Sequence, residues 1–257
     1  MDQNPAQKGR KGPAAIVLAA GHGKRMGSPL AKVLHLLGGR PLIQHVIDSA
    51  RRAGARPIAV IVGHQADAVR EAFAGDDGGL LFALQAEPLG TGHAASVGVS
   101  ALQEESGDVM VLCGDVPLLR PETLLELLRL HRGEGATVTV LTAIMEDPAG
   151  YGRVLRQGGP DGRVTGIRED ADATSEERAI REINTGTYVF DLEFLSRALP
   201  QIRPENEQKE YYLTDAVLLA VEEGLPVAAM PTPHPEEAMG VNQPDDLARA
   251  EALWAAR

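Results

Sequence analysis

Residues 14–20 (AAIVLAA) form an unbroken apolar run that ends in glycine, the pattern of a short strand buried on both faces of a parallel sheet. Over 41–53 (PLIQHVIDSARRA) the apolar positions recur at helical spacing behind an opening proline, and 57–62 (PIAVIV) is again a continuous apolar run. Strand, helix and strand make a βαβ unit. The alternation predicts further helices at 66–74, 92–102 and 121–132, with strands at 80–84 and 109–112. Such regularity implies a doubly wound α/β fold whose ligands sit outside the carboxyl ends of the strands. The second half has another rhythm. Strands are predicted at 137–144, 153–156, 164–168 and 187–190 with few helices between them, an antiparallel or mixed extension of the sheet that forms a smaller, β-rich lobe over the substrate. Helices at 213–223 and 244–255 flank a last strand at 227–230. No internal repeat or low-complexity linker interrupts 14–257, so one compact unit is expected, with halves at 14–133 and 134–257.

With 44% hydrophobic residues among 257, the chain can bury a substantial core. Its formal charge of −11 excludes a generalised footprint for nucleic acid or an anionic membrane surface, so an anionic ligand has to be met by a local cluster of cations. The single cysteine, Cys113, rules out an intrachain disulfide and any cysteine-rich metal site, and fits a reducing cytoplasm. Residues 1–13 (MDQNPAQKGRKGP) lack the apolar core of a signal peptide and are expected to be a disordered lead-in. No later stretch reaches the roughly 20 apolar residues of a membrane span. A cytoplasmic protein is expected.

In Gly21-His22-Gly23-Lys24-Arg25-Met26-Gly27 the glycines let backbone N–H groups approach an anion, while Lys24, Arg25 and, further on, Lys32 add charge. These are the makings of a polyphosphate cradle, though the spacing is neither that of the Walker loop nor that of the dinucleotide fingerprint. The same residues also fit an ordinary βα turn with a solvated basic face. Cys113-Gly114-Asp115-Val116-Pro117-Leu118 puts a carboxylate at the end of a buried strand. That is a place for Mg2+, which takes one or two protein oxygens together with waters and phosphates; a turn cap is the plain alternative for Asp115. Asn242, in Gly240-Val241-Asn242, is equally a helix N-cap ahead of Pro244. The string from Gln85 to His93 (QAEPLGTGH) ends a strand and opens a helix, so the N–H groups of Gly90, Thr91 and Gly92 are expected to be open donors. The Gln85 amide offers both a donor and an acceptor, enough to answer an edge that carries carbonyl oxygens and one N–H. His93, in a first helical turn, reads as structural, Cys113 as a small buried hydrophobe, and Thr214 and Asp215 as helix caps.

L-A-A-G-x-G-x-R-M followed by Lys-Val-Leu resembles the signature of sugar-phosphate nucleotidylyltransferases. Q-x-x-x-L-G-T-G-H at 85–93, G-Y-G-R at 150–153, I-R-E at 167–169, E-I-N-T-G at 182–186, the late Gly-Val-Asn and E-Y-Y-L-T-D at 210–215 are similar to the N-acetylglucosamine-1-phosphate uridylyltransferase branch of that family. The likeness covers nearly the whole chain after the lead-in. It implies a Rossmann-like, doubly wound mixed sheet of the nucleotide-diphospho-sugar transferase type, with the nucleotide on the first half and the sugar on the second. By that likeness Leu18, Ala19, Ala20 and Gly21 would hold base and ribose, Gln85, Gly90 and Thr91 would read the base, and Gly114 would lie beside the nucleotide. Arg25 would neutralise the phosphates, and Lys32 would bridge nucleotide and sugar phosphate. Asp115 and Asn242 would ligate Mg2+. Gly152 would contact the sugar through its backbone, Glu169 would accept from its hydroxyls, and Asn184 would read its amide. Four positions depart from the pattern: Lys24 replaces threonine, Ala31 a proline whose loss removes a fixed φ ahead of Lys32, Cys113 a tyrosine, and Arg168 a hydrophobic residue.

The reaction so implied joins UTP to N-acetylglucosamine 1-phosphate and releases pyrophosphate. Its nucleophile is already an ionised phosphate oxygen, which fits a chain without a Ser-His-Asp arrangement or paired-carboxylate signature. Relatives of this branch carry a C-terminal acetyltransferase domain of hexapeptide β-helix repeats; none occurs in these residues, so either the chain is a fragment or neither acetyl transfer nor β-helix trimerisation is expected. The rival readings are a nucleotidylyltransferase for another sugar phosphate or a pterin cofactor, and a non-catalytic sugar-nucleotide sensor.

Overall fold

The structure, a computed structural model, describes residues 12–76, 78–102 and 107–257. The lead-in at 1–11 and the Lys24 side chain lie outside the described residues. In chain order the elements are β1 (Ala14–Ala19), β2 (Leu36–Leu37), β3 (Arg40–Pro41), α1 (Leu42–Arg52), β4 (Ile58–Val62), α2 (Ala66–Ala72), β5 (Leu80–Leu84), α3 (Thr91–Ala101) and β6 (Asp108–Cys113). There follow α4 (Pro121–Glu134), β7 (Val138–Ile144), β8 (Arg153–Gln157), β9 (Arg163–Arg168), α5 (Ser175–Arg178), β10 (Glu182–Asp191), α6 (Leu192–Ala198), α7 (Thr214–Glu222), β11 (Val227–Pro231) and α8 (Pro244–Ala255).

The main sheet runs β11-β7-β10-β6-β1-β4-β5. All its strands point one way except β10, which lies antiparallel between β6 and β7. Strand order reverses at β1, whose neighbours are β4 and β6, so the switch point lies at the carboxyl ends of β1 and β6. Successive side chains of β1 leave opposite faces of the sheet. Ile16 joins a core with Ala95 of α3, Leu195 of α6 and Val217 of α7, while Val17 joins one with Ile47 of α1, Val69 of α2 and Leu127 of α4. Helices thus cover both faces, which is why the strand sequences show no alternation.

Most predicted elements are present, with ends shifted by a residue or two. The largest difference is β10. The E-I-N-T-G segment, which lies ahead of the strand predicted at 187–190, is the first half of β10, and the pairing with β7 shifts between Asn184 and Thr187. Gly186 (φ 76°) sits in this irregularity, where a Cβ would stand 2.8 Å from Cys113 Sγ. The short β2–β3 hairpin, α5 and α6 were not predicted. For α6 the signal was there, since the Asp191 carboxylate accepts from the Phe194 N–H at 2.8 Å as an N-cap. Thr214 does not cap α7, which has no side-chain cap; its hydroxyl is used elsewhere. Among the described residues no helix is long and apolar enough to cross a membrane.

Candidate active site

A cleft of about 330 Å3 opens at the switch point. Leu18, Ala19, Ala20 and Gly21 from the end of β1 line it, with Gln85 behind β5, Gly90 and Thr91 at the start of α3, and Lys32 and Asp115. Gly114 is not among the lining residues; its N–H donates to the Leu18 carbonyl at 2.9 Å, tying the end of β6 to β1. His22, Pro88 and Glu210 also line it, none of them assigned a role from the sequence; Glu210 comes from the E-Y-Y-L-T-D string. Arg25, on the 3-10 turn Lys24–Met26, has an exposed side chain that does not contribute to the lining.

Lys32 Nζ donates to Asp115 Oδ2 and, at 3.0 Å, to Asn242 Oδ1. The Lys32 and Asp115 side chains are only 13% and 18% exposed, so this charge pair is largely withdrawn from water. Three distant segments are needed to build it. Asp115 leaves the end of β6, and its backbone carbonyl accepts from the Val241 N–H at 2.8 Å, which brings Asn242 alongside. Asn242 is not the N-cap of α8: Gln243 and Asp246 form that capping box, leaving the Asn242 carboxamide to face Lys32. Lys32 is aimed by Gly23, whose φ of 60° and close approach both demand glycine, since a Cβ there would lie 2.7 Å from Lys32 Cβ. Ala31 holds φ −53°, within the range a proline would impose, so the turn that carries Lys32 keeps its shape without the proline.

The loop before α3 is clamped from outside. Gly92 donates its N–H to the Tyr211 carbonyl at 2.7 Å, the Tyr211 N–H reaches Leu89 O at 2.8 Å, and the Leu213 N–H reaches Thr91 Oγ1 at 3.0 Å. The Gly92 donor, expected to be open to a ligand, is therefore committed to the protein. A Cβ on Gly90 (φ 107°) would meet Tyr211 O at 2.7 Å. Gln85, 5% exposed, donates through Nε2 to Gly90 O at 3.1 Å and is 3.0 Å from His93 Nδ1. His93 is thus the second protein partner of the Gln85 amide.

Gly152, Glu169 and Asn184 also meet. Asn184 donates its N–H to Gly152 O at 2.8 Å, and a Cβ on Gly152 would lie 3.3 Å from Glu169 Oε2. The Thr214 hydroxyl, freed from capping, donates to Glu169 Oε1 at 3.1 Å. Burial raises the Glu169 carboxyl above its ordinary range, and nearby acids including Asp215 and Asp172 add to this. The Asn184 carboxamide oxygen accepts from Gly186 N–H at 3.0 Å. Cys113 lies between the two groups of residues. Burial, then the Asp115 charge, pushes its thiol up to about 12, so it stays protonated and serves as packing. Arg168 turns outward, 3.4 Å from Glu177, rather than toward Glu169.

Fold and cleft together define a mixed α/β protein with its cleft at the switch point of the sheet. The chain belongs to the MobA-like NTP transferase domain family, whose pattern matches residues 15–168. It is 51% identical over 237 residues to the Bifunctional protein GlmU of Geobacter metallireducens, a match covering 92% of this chain and 49% of that one. The protein of the same name from Pelobacter propionicus is 51% identical over 240 residues, covering 93% and 52%. The chain spans about half the length of the curated relatives it matches. Among solved structures, UDP-glucose pyrophosphorylase complexed with UDP-glucose superposes with a TM-score of 0.74 over 95% of this chain and 99% of that one; at 16% identity this is a likeness of fold.

Proposed function

We propose that the protein transfers UMP from UTP to N-acetylglucosamine 1-phosphate, giving UDP-N-acetylglucosamine and pyrophosphate. The observation that carries this reading is the meeting of Lys32, Asp115 and Asn242 beside a cleft lined by the L-A-A-G backbone and Gln85. A phosphate oxygen of the sugar phosphate forms a bond to the α-phosphorus of UTP as the bond to pyrophosphate breaks. No protein base is required, because the nucleophile is already ionised and the leaving group departs as an anion. The work left to the protein is alignment and neutralisation.

Each residue then has a part. The backbone of Leu18 to Gly21 and the side of α3 at Gly90 and Thr91 seat the nucleoside, and Lys32 stabilises charge building on the α-phosphoryl oxygens. Arg25, exposed at the rim, meets the outer phosphates. Gly152, Glu169 and Asn184 hold the sugar, Glu169 accepting from hydroxyls and Asn184 reading the acetamido group. The nucleotide thus belongs to residues 14–133 and the sugar to 134–257. Asp115 and Asn242 present two hard oxygens converging on one ammonium, a donor set that fits Mg2+ with phosphates and waters completing its shell. When bound, the ion would supply further neutralisation of phosphate charge. A free, half-buried thiol and a triphosphate substrate both suit the cytoplasm.

Pyrophosphate release with Mg2+, N-acetylglucosamine 1-phosphate and each of UTP, CTP, GTP and dTTP tests the proposal. Release is expected with UTP, to be abolished by EDTA, and to fall by roughly a hundred- to a thousand-fold in Lys32→Ala, the scale for losing one well-placed charge stabiliser. UTP binding without release under any of these conditions would overturn it in favour of a sensor.

A further inference from the structure

The environment of Gln85 fixes which half of its amide a base can meet. The Gly90 carbonyl can only accept a hydrogen bond, so the Gln85 atom 3.1 Å from it is the NH2 group. The second hydrogen of that NH2 is directed to His93 Nδ1 at 3.0 Å. A donor facing Nδ1 requires Nδ1 to be the acceptor, which makes His93 the neutral tautomer with its proton on Nε2. Both N–H bonds of Gln85 are consequently spent inside the protein. Its backbone N–H is also committed, to Val62 O at 2.8 Å. Among the described residues the remaining polar function, Oε1, has no partner, and the side chain lines the cleft.

We infer that His93 is a positioning residue that sets base selectivity: it locks the Gln85 amide so that only an acceptor faces the base. An acceptor at this place suits a pyrimidine carrying N3–H, as uracil does, and is repelled by the N3 lone pair of cytosine. Turning the amide over to suit cytosine would set Oε1 against the Gly90 carbonyl and forfeit the bond to His93. Discrimination between bases follows because the wrong one leaves buried polar groups unmatched. This inference rests on the reading of the cleft as a UTP site.

The test compares kcat/KM and dissociation constants for UTP and CTP in the wild type, His93→Ala and His93→Asn. The alanine variant is expected to lower the UTP-to-CTP ratio by about two- to tenfold, the range for one hydrogen bond. His93→Asn, whose carboxamide oxygen can replace Nδ1 as acceptor, is expected to restore the ratio. A purely structural histidine would change both nucleotides in parallel, so a ratio unmoved in folded His93→Ala overturns the inference while leaving UTP as substrate. Wild-type protein that neither binds nor uses UTP overturns the function and the inference together. The 15N shifts of the His93 ring in the free wild type give a check that depends on no variant: protonated Nε2 with bare Nδ1 is expected, and a proton on Nδ1 refutes the lock.

Discussion

At the scale of single residues the site is built from polar groups that burial would penalise unless something answers them. Glu169 shows the consequence. Its carboxyl is raised from 4.5, first by burial and then by its acidic neighbours, against the stabilising bond from Thr214. The folded chain therefore binds this proton more tightly than the unfolded chain, and the sign follows: the contribution to stability is complete below the unfolded value and is lost as pH rises through the raised one. Once ionised, Glu169 is held at a cost, as a group with the proposed task of accepting sugar hydroxyls would be. Glu169→Gln is expected to raise the melting temperature at pH 7 while raising KM for N-acetylglucosamine 1-phosphate about tenfold or more, since hydrogen bonds to a charged acceptor are the strong ones. In the wild type KM should climb as pH falls through the raised value, and in Glu169→Gln it should stay flat. Calorimetric melting and a KM profile between pH 4.5 and 8 check both halves, and an unchanged KM would remove Glu169 from the sugar site.

At the scale of elements, the motifs proposed to hold the sugar depend on how the β8–β9 hairpin is fastened to β10. One backbone register pair, Ile183 with Arg153, and the bond from Asn184 N–H to Gly152 O join them, apolar side chains of the hairpin share a core with β10, and an ion pair reinforces the attachment. Arg156 of β8 grips Glu182 of β10 through Nε at 2.6 Å and Nη2 at 2.7 Å, with Thr142 of β7 donating to the same carboxylate at 2.8 Å. The pair is 13% and 9% exposed, so Arg156→Ala strands a carboxylate in the sheet. A loss of about 3–5 kcal/mol is expected in urea unfolding; a loss below 1 kcal/mol would mean that the hairpin relaxes and rehydrates Glu182. The same place marks the limit of what the sequence disclosed. Buried parallel strands β1, β4 and β6 were legible because continuous apolar runs have few other readings, and the glycine and acidic motifs fell at their carboxyl ends as such a sheet requires. The first half of β10 was not legible. Glu182, Asn184 and Thr185 look like a polar loop until their partners Arg156, Gly152 and Leu141 are known, and those lie on or just before other strands. The Gly92 donor failed for a similar reason: nothing local announces that residues 206–213 return to cover it.

At the scale of the whole molecule the chain is stitched across its own midpoint. β10 comes from the second half yet lies between β6 and β7, and α8 packs back on the first half, where Ala250, Met239 and Val241 share a core with Met26, Leu37, Leu42 and Leu118. Trp254, the only tryptophan, sits with its ring 4.6 Å from that of His45 on α1, and a Cβ on Gly38 (φ 56°) would lie 2.6 Å from its Nε1. Arg257 reaches Leu118 O at 2.5 Å beyond it. A chain of 257 residues is long enough to unfold in steps, and a fold whose two halves were merely adjacent would do so. Here the strand that would have to leave first is in the interior of the sheet, and the helix that carries the fluorophore is part of the other half's core. Urea unfolding followed by Trp254 fluorescence and by far-ultraviolet circular dichroism is therefore expected to give one midpoint. UTP with Mg2+ should move both signals upward together, because Lys32 and Asp115 come from one half and Asn242 from the other, and a ligand that binds only the joined site stabilises the joint. A fluorescence transition that precedes the loss of secondary structure would show that α8 detaches alone, and the triad of Lys32, Asp115 and Asn242 would then come apart before the sheet does.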